Sequence, residues 1–444
     1  MTTILTSPEA GPYSSLLDPR TGIVRALVRS ATPAQVPASF ELVTAVLSDT
    51  TRFGPWPSDS AGAGYAFADP EAARGAALGE AAERYCGNLV PPRLVLASHA
   101  DLTAQGARAL DPADLALYSP AQHAAPGFPL APFTRDLPVE WTEAVDLLDG
   151  RGTLVPAGLV WVSYFSADVA PPTPRVNPVI QAGLAAGPTR EYAVWGALGE
   201  IAERDAMTLA WHGRAGLRAL TPPPWLAAFV PGPLRRLHVR FLGFPTATGL
   251  HVTGALVRDR ETGHLTLGMG VRRDAQEAMV KAYGEALQLQ LFVAGLDDPA
   301  GPYCQVAADP RSPLKPWRAD RAYGSSYRSD LADVVDYGCH LQLFLDPAVQ
   351  EEFEEELAEA LTEHVPARAV PPPRDARELA VRLGRQALVA EVTTPDVRGA
   401  GLRVVRVVVP GTYSNTAAGL PFLGGTRLAE TLGGRPRRPL PLPH

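Results

Sequence analysis

Three segments of this chain place glutamate, glycine and a basic residue at one recurring spacing. Residues 77–84 read ALGEAAER, residues 197–204 read ALGEIAER and residues 282–289 read AYGEALQL. The first two agree at seven of eight positions, and the third keeps the Ala, Gly and Glu in register. Glu80 and Glu83 lie three apart, as do Glu200 and Glu203, while the third segment offers Glu285 and Gln288. Side chains at that spacing share a helix face. Five carboxylates so grouped form a hard, oxygen-rich environment suited to Mg2+, which is normally held by a few carboxylates together with a substrate's phosphates. Arg204 and Lys281 would then meet phosphate oxygens, the guanidinium as a planar fork and the ammonium as a point charge. The competing reading is an alanine-rich, solvated helix whose Glu and Arg pair at i,i+4.

Two features weigh against that second reading. Each copy carries a glycine (Gly79, Gly199, Gly284) inside the expected helix, at a cost of about 1 kcal/mol relative to alanine. A helix whose backbone closely approaches another backbone or a ligand gains from such a glycine. The positions three, four and seven before each key glutamate are also small or stem-like. They are Ala77, Ala76 and Ala73, then Ala197, Gly196 and Ala193, then Ala282, Lys281 and Ala278. That pattern predicts a packing stripe ending in acids, and acids extending a buried stripe need partners.

The rest of the chain bounds the alternatives. Its 444 residues are 46% hydrophobic and 20% charged, enough for a sizeable core, and the net charge of -7 argues against a nucleic-acid partner. Only Lys281 and Lys315 are lysines, and neither follows the glycines of a GxxxxGK[ST] phosphate loop, so any nucleotide is bound another way. Cys86, Cys304 and Cys339 are too scattered for a disulfide framework or a CxxC zinc site. The N-terminal residues lack a signal-peptide pattern, and no apolar run approaches a membrane span, which predicts a cytoplasmic setting without a membrane partner.

Periodicity places these residues on an α/β (α+β) scaffold of mixed sheets and repeated long helices. Strands are expected over 22–29, 40–47, 154–162, 237–242, 252–257, 265–271, 387–392 and 402–409. Helices are expected over 70–86, 191–211, 275–293, 347–364 and 375–384, with a Gly/Ser/Pro stretch at 54–64 and a proline-rich turn at 365–374. Residues 1–60 read as an N-terminal strand region integral to the fold, 61–434 as the catalytic domain and 435–444 as a proline-rich tail.

Residues 62–87 (GAGYAFADPEAARGAALGEAAERYCG), 183–206 and 274–290 resemble the three signature segments of the YcaO family, and 391–411 resembles its late strand segment. The resemblance runs from about residue 15 to the end and implies an ATP-dependent enzyme that activates peptide backbone amides. It implies that Glu80, Glu83, Glu200, Glu203 and Glu285 hold Mg2+ and ATP phosphates. Arg204 and Lys281 would contact the phosphates, with Lys281 standing where arginine is more usual, and Gln288 matches a family glutamine. Asp18, Ala182, Pro188 and Tyr192 depart from the family pattern, which touches the outer contacts of the second segment but not the ExxE pairs.

The chain ends in PLPLPH, with Pro439, Pro441, Pro443 and the terminal His444. Such a sequence by itself favours a solvated polyproline tail. A terminal PxPxP is similar to that of azoline-forming YcaO cyclodehydratases, where the tail threads back so that its end reaches the active site. The implied reaction turns Cys, Ser or Thr of a ribosomal precursor peptide into thiazoline or oxazoline. The side chain attacks the preceding amide carbonyl, and the resulting oxygen is phosphorylated by ATP and leaves as phosphate. The nucleophile belongs to the substrate, so no protein triad is required. His212 reads as a packing residue, and the cysteines as core or incidental. Nothing in the first 60 residues reads as a leader-binding module, so a separate partner of the ubiquitin-activating-like type is expected. An FMN dehydrogenase is a further possible partner, and the family implies a homodimer. The alternatives are a thioamide- or amidine-forming relative and a non-catalytic scaffold for precursor or partner.

Overall fold

The computed structural model describes residues 3–5, 11–33, 35–166, 173–229, 236–363 and 370–444. Among the described residues three antiparallel sheets are present, and each backs one long helix. The first sheet orders Thr3–Leu5, Val24–Arg29, Phe40–Leu47 and Ala61–Phe67, and carries the helix Pro70–Cys86. The second orders Leu265–Arg272, His251–Asp259, Leu237–Phe244 and Arg218–Leu220 under the helix Ala275–Leu296. The third runs Val95–Ala97, Val139–Asp146, Leu388–Glu391, Arg403–Val408 and Leu184–Gly187, with Gly152–Pro156 beside Val139–Asp146. It packs on the helix Arg190–Trp211.

Each long helix starts on a side-chain cap. Asp69 accepts from the Ala72 N–H with Pro70 in the first turn, Thr189 from Tyr192, and Asp274 from Gln276 and Glu277. The predicted alanine stripe is a packing surface, since Ala73, Ala77, Ala193, Ala197, Ala278 and Ala282 are fully buried. The close approach comes from glycines in the strands. A Cβ at Gly64 would lie 2.2 Å from the Ala77 nitrogen, and one at Gly268 would lie 2.1 Å from the Ala286 nitrogen. Alanine on the helix and glycine on the strand let the two backbones nearly touch.

The helix glycines play a different part from the one expected. Gly79 has nothing within 4 Å of where a Cβ would sit, and Gly199 would meet Val271 at an ordinary 3.6 Å. Only Gly284 is a site of close approach, and its neighbour is an aromatic ring. Ala76 and Gly196 are exposed, so the stripe turns from sheet to cleft at the position four before each glutamate. The loop expected over 54–64 gives way at Ala61 to an edge strand, where alternating Gly and Ala permit contact with the helix. The strand expected over 154–162 ends at Pro156, and Ala157–Val160 form one helical turn. The helix Pro347–Thr362 stops short of His364, which lies outside the described residues together with 365–369 of the expected turn.

Candidate active site

The three helices present their glutamates to one cleft of about 790 Å³. Glu80, Glu83, Glu200, Glu203 and Glu285 line it together with Arg84, Arg204 and Lys281. The same local device seats the first glutamate of each copy. Its carboxylate accepts an N–H from the strand that precedes its helix or, for Gly183, from the residue just before that strand: Ala63 to Glu80 at 3.0 Å, Gly183 to Glu200 at 2.9 Å and Met269 to Glu285 at 3.3 Å. Glu83 reaches across to the third sheet, where the Ala186 N–H donates to it at 2.6 Å. Sheet edges thus aim the carboxylates, and five acids converge from segments far apart in the chain.

The cations are interleaved with the acids. Arg84 donates to Glu80 at 2.9 Å and to Gln181, and lies 3.3 Å from Asp59. Arg204 lies 3.4 Å from Glu203, and Lys281 lies 4.0 Å from Glu285. With Arg272 also in the lining, five carboxylates face four cations, and the cleft is acidic by one charge if all are ionised. Burial pushes the Glu83 carboxyl up to about 8, against the pull of the Ala186 N–H and with a further push from Glu80. Burial likewise pushes Glu203 up to about 7, opposed by Arg204. Glu285 is half-buried and desolvation pushes it the same way, yet Lys281, His444 and Arg204 hold it below the usual carboxylate range. Among the described residues no three His, Cys, Asp or Glu side chains are grouped so as to hold a metal ion by themselves, so a hard divalent cation in this cleft would rest on one or two carboxylates together with the phosphates it brings.

The tail ends at this cleft. Pro441 and Pro443 are buried and Pro439 faces solvent, while Leu440 and Leu442 are 5% and 6% exposed. Backbone contacts set the path: Trp211 Nε1 donates to the Leu440 carbonyl at 2.7 Å, and the Leu267 N–H donates to the Pro443 carbonyl at 2.6 Å. His212 Nδ1 donates to the Arg438 carbonyl at 2.8 Å, so the histidine expected to pack serves as a tail anchor. Arg438 is 1% exposed, pairs with Glu363 at 2.6 Å and lies 5.2 Å from the Trp211 ring. At the end, His444 Nδ1 donates to the Leu267 carbonyl at 2.9 Å, which leaves Nε2 to accept from Arg204. Burial and the Arg204 charge push this imidazole down to about 4, so it is neutral and suited to accepting.

The other expected residues fall at graded distances from the cleft. Gln288 sits one turn beyond Glu285, half-buried and outside the cleft lining. Pro188 and Tyr192 line the cleft, with Tyr192 61% exposed. Asp18 instead accepts the Arg20 and Thr21 N–H groups in its own turn. Cys86 and Cys339 are buried, and all three cysteines are free thiols.

Two residues were not singled out from sequence. Arg406 is 1% exposed and donates to the carbonyls of Val160, Ile180, Gln181 and Ala182, which fixes the loop leading to the Gly183 N–H. A charge inside the apolar run VVRVV was the signal for it. Tyr65 lines the cleft and touches Lys281, and nothing in its local sequence marks it.

Comparison with known proteins agrees with this geometry. Residues 64–413 match the family described as YcaO cyclodehydratase, ATP- and Mg2+-binding. An uncharacterized protein of Methanothermobacter thermautotrophicus is 28% identical over 226 residues, covering 49% of this chain and 54% of the relative. A heterocyclase in complex with substrate and cofactor superposes with a TM-score of 0.64 at 22% identity, over 97% of this chain and 56% of that one. YcaO from Methanopyrus kandleri bound with AMPPCP and Mg2+ has a TM-score of 0.53 at 17% identity, covering 88% of this chain and 86% of that one. The E. coli microcin synthetase McbBCD complex gives 0.57 at 12% identity, covering 95% and 98%. The chain therefore spans little more than half the length of the relative and of the first of these structures. It has the mixed α/β fold of the YcaO heterocyclases, and it belongs to the YcaO family of ATP- and Mg2+-binding cyclodehydratases.

Proposed function

We propose that this chain is an azoline-forming cyclodehydratase acting on Cys, Ser or Thr residues of a ribosomal precursor peptide. The observation that carries the reading is the buried tail, whose last residue reaches Arg204 inside the carboxylate cleft. A solvated proline tail has no reason to bury two leucines and end on the cation of an acidic site.

In this reading Glu80, Glu83, Glu200, Glu203 and Glu285 hold Mg2+ and, through it, the phosphates of ATP. Bound there, ATP and its metal supply an electrophilic γ-phosphoryl group with much of its charge neutralised. Arg204 and Lys281 contact phosphate oxygens and stabilise the charge carried off by the leaving group. The substrate's own thiol or hydroxyl closes onto the preceding carbonyl, and the protein positions that oxygen for phosphorylation. The seated tail fixes one wall of the site and, through His444, the direction of Arg204. Gln288 would support the site from one turn away.

The precursor peptide is the expected partner, presented by a separate leader-binding protein. The McbBCD neighbour, a multi-protein synthetase also described with pro-MccB17 bound, supports that arrangement. A homodimer, an FMN dehydrogenase acting on the azolines and a cytoplasmic setting complete the proposal. No described helix is long and apolar enough to cross a membrane.

The test is the reconstituted reaction with ATP, Mg2+, precursor and partner, read as loss of one water per ring. Glu80→Gln and Glu203→Gln should each lower turnover by about a hundredfold or more, as expected for loss of a preorganised charge contact. Full activity in either would sink the metal assignment. Deleting residues 440–444 should abolish ring formation. A truncated chain that still forms rings would point to the thioamide- or amidine-type reading, and ATP-independent peptide binding alone would point to a scaffold.

A further inference from the structure

We infer that Tyr65 is the positioning residue for Lys281, and that residue 284 is glycine because the Tyr65 ring occupies the place of its Cβ. The inference rests on the proposed role of Lys281 as a phosphate contact. Gly284 interrupts the interior of the helix Ala275–Leu296, where glycine costs about 1 kcal/mol relative to alanine. A Cβ there would fall 2.3 Å from Cε2 and 2.6 Å from Cδ2 of Tyr65, far inside contact distance. The corresponding glycines, Gly79 and Gly199, face no such obstacle. Packing against the sheet explains none of the three, so Gly284 has a reason of its own.

Seated against the helix, Tyr65 holds Lys281 from two sides. Its hydroxyl donates to the Lys281 carbonyl at 3.0 Å, which commits the phenolic proton. The oxygen lone pair therefore faces the Lys281 ammonium, whose Nζ donates to it at 2.5 Å. The ammonium also lies 4.5 Å from the ring centroid, within range of the negative face of the ring. Glu285 stands at 4.0 Å, an ion-pair distance beyond hydrogen-bond reach. An ammonium has three donors, so two remain for a ligand in the cleft.

A lysine needs this help where an arginine would not. The guanidinium fork is planar and fixes two oxygens by its own shape, whereas an ammonium on a flexible stem loses rotamer entropy to hold one direction. The other two helices place Ala76 and Gly196 at the equivalent position, so Lys281 is the one cation sent over the cleft from that row. Tyr65 supplies from outside the side chain the direction that a fork would carry within it.

The experiment uses Tyr65→Phe in the full-length chain, which keeps the ring and removes the hydroxyl. Calorimetric binding of AMPPCP with Mg2+ should weaken about tenfold, the loss of one charge-assisted hydrogen bond. Thermal stability should hardly move. Lys281→Arg should make the site indifferent to the hydroxyl, so that Tyr65→Phe costs about twofold or less in that background. Gly284→Ala, a better helix former, should reproduce the weakened binding by displacing the ring. A second readout is independent of the nucleotide. The chain has only two lysines, so ζ-15N-lysine NMR resolves Lys281 against Lys315, which Asp333 holds at 2.6 Å. Tyr65→Phe should broaden or shift the Lys281 signal and leave that of Lys315 alone. Unchanged affinity together with an unchanged Lys281 signal would overturn the inference. If Lys281→Met leaves affinity intact, the phosphate-contact role fails. If Lys281→Met weakens binding and Tyr65→Phe does not, the positioning role alone is refuted.

Discussion

Loading Mg2+ and nucleotide into this cleft should expel protons, and the number follows from the carboxylates. Glu83 is held up to about 8 and Glu203 to about 7, in both cases chiefly by burial. A carboxylate must be ionised to serve a cation. At pH 7 the first is about nine-tenths protonated and the second about half, so occupation should release about 1.4 protons. Below its pKa each group costs about tenfold in affinity per pH unit, so affinity should climb by about a thousandfold between pH 6 and pH 9. Most of that climb should come below pH 8. The assay is titration calorimetry of a magnesium-saturated, non-hydrolysable nucleotide in buffers of different ionisation enthalpy, repeated at half-unit pH steps. Glu83→Gln has no proton to lose there, and its release at pH 7 should fall to about half a proton. A wild-type release near zero with affinity flat from pH 6 to 9 would refute the reasoning. The acids would then be fully ionised in the empty cleft, with Arg84, Arg204 and Lys281 outweighing burial.

Other consequences can be checked separately. The same carboxyls titrate above their unfolded value of 4.5, so the metal-free native state binds more protons than the unfolded chain. Its stability should be greatest below about pH 4.5 as far as these two groups go, and should decline as pH rises through 7 to 8, with added Mg2+ and nucleotide reversing the decline in a denaturant series. His444→Ala removes the acceptor of Arg204, and should raise the KM for ATP about five- to tenfold while shifting the melting temperature by no more than about 2 °C. Arg438→Ala removes a 1% exposed guanidinium that donates to Glu363 and to the Trp211 carbonyl, while Arg214 and Arg435 stay on Glu363, and should cost about 2 kcal/mol and expose the tail to carboxypeptidase. Gly268→Ala would place a Cβ 2.1 Å from helix backbone, and should destabilise by about 3 kcal/mol or more in equilibrium unfolding.

Much of this was legible in sequence for physical reasons. The helix Pro70–Cys86 has the bounds its periodicity predicts, because Asp69 and Pro70 mark its start, and the strand Phe40–Leu47 also matches residue for residue. The glutamates could be grouped because carboxylates at i and i+3 share a face wherever the helix goes. Which N–H groups they accept could not be read, since Ala63, Gly183 and Met269 are distinguished only by sheet register. The role of the glycines was misplaced for a related reason. Periodicity shows that a helix is small on one side, but not whether the partner surface is equally small, and here Gly64 and Gly268 in the strands make the contact. Tyr65 escaped notice because its partner lies 216 residues away. Arg406 could have been found, since a charge inside VVRVV must either face water or satisfy buried carbonyls, and it does the latter.

The repeated unit is a strand and a helix closed by one hydrogen bond to the helix's glutamate, from an N–H of the strand or, at Gly183, of the residue leading into it. No single unit makes a site, because each contributes one or two carboxylates and a wall. The links between units are few and specific. Glu83 of the first helix accepts from Ala186 at the edge of the third sheet, and Tyr65 of the first sheet holds Lys281 of the third helix. The tail ties the strand Leu265–Arg272 to the second helix through Pro443, His444 and Arg204. Each link ends on a residue that lines the cleft: Glu83, Lys281 or Arg204. A change that loosens a link therefore acts on the cleft before it acts on any one hydrophobic core. The same economy explains how the site works without a glycine-rich phosphate loop. Such a loop gathers backbone N–H groups around an anion directly, whereas here the N–H groups are spent orienting carboxylates, and a cation held by those carboxylates would take the phosphate.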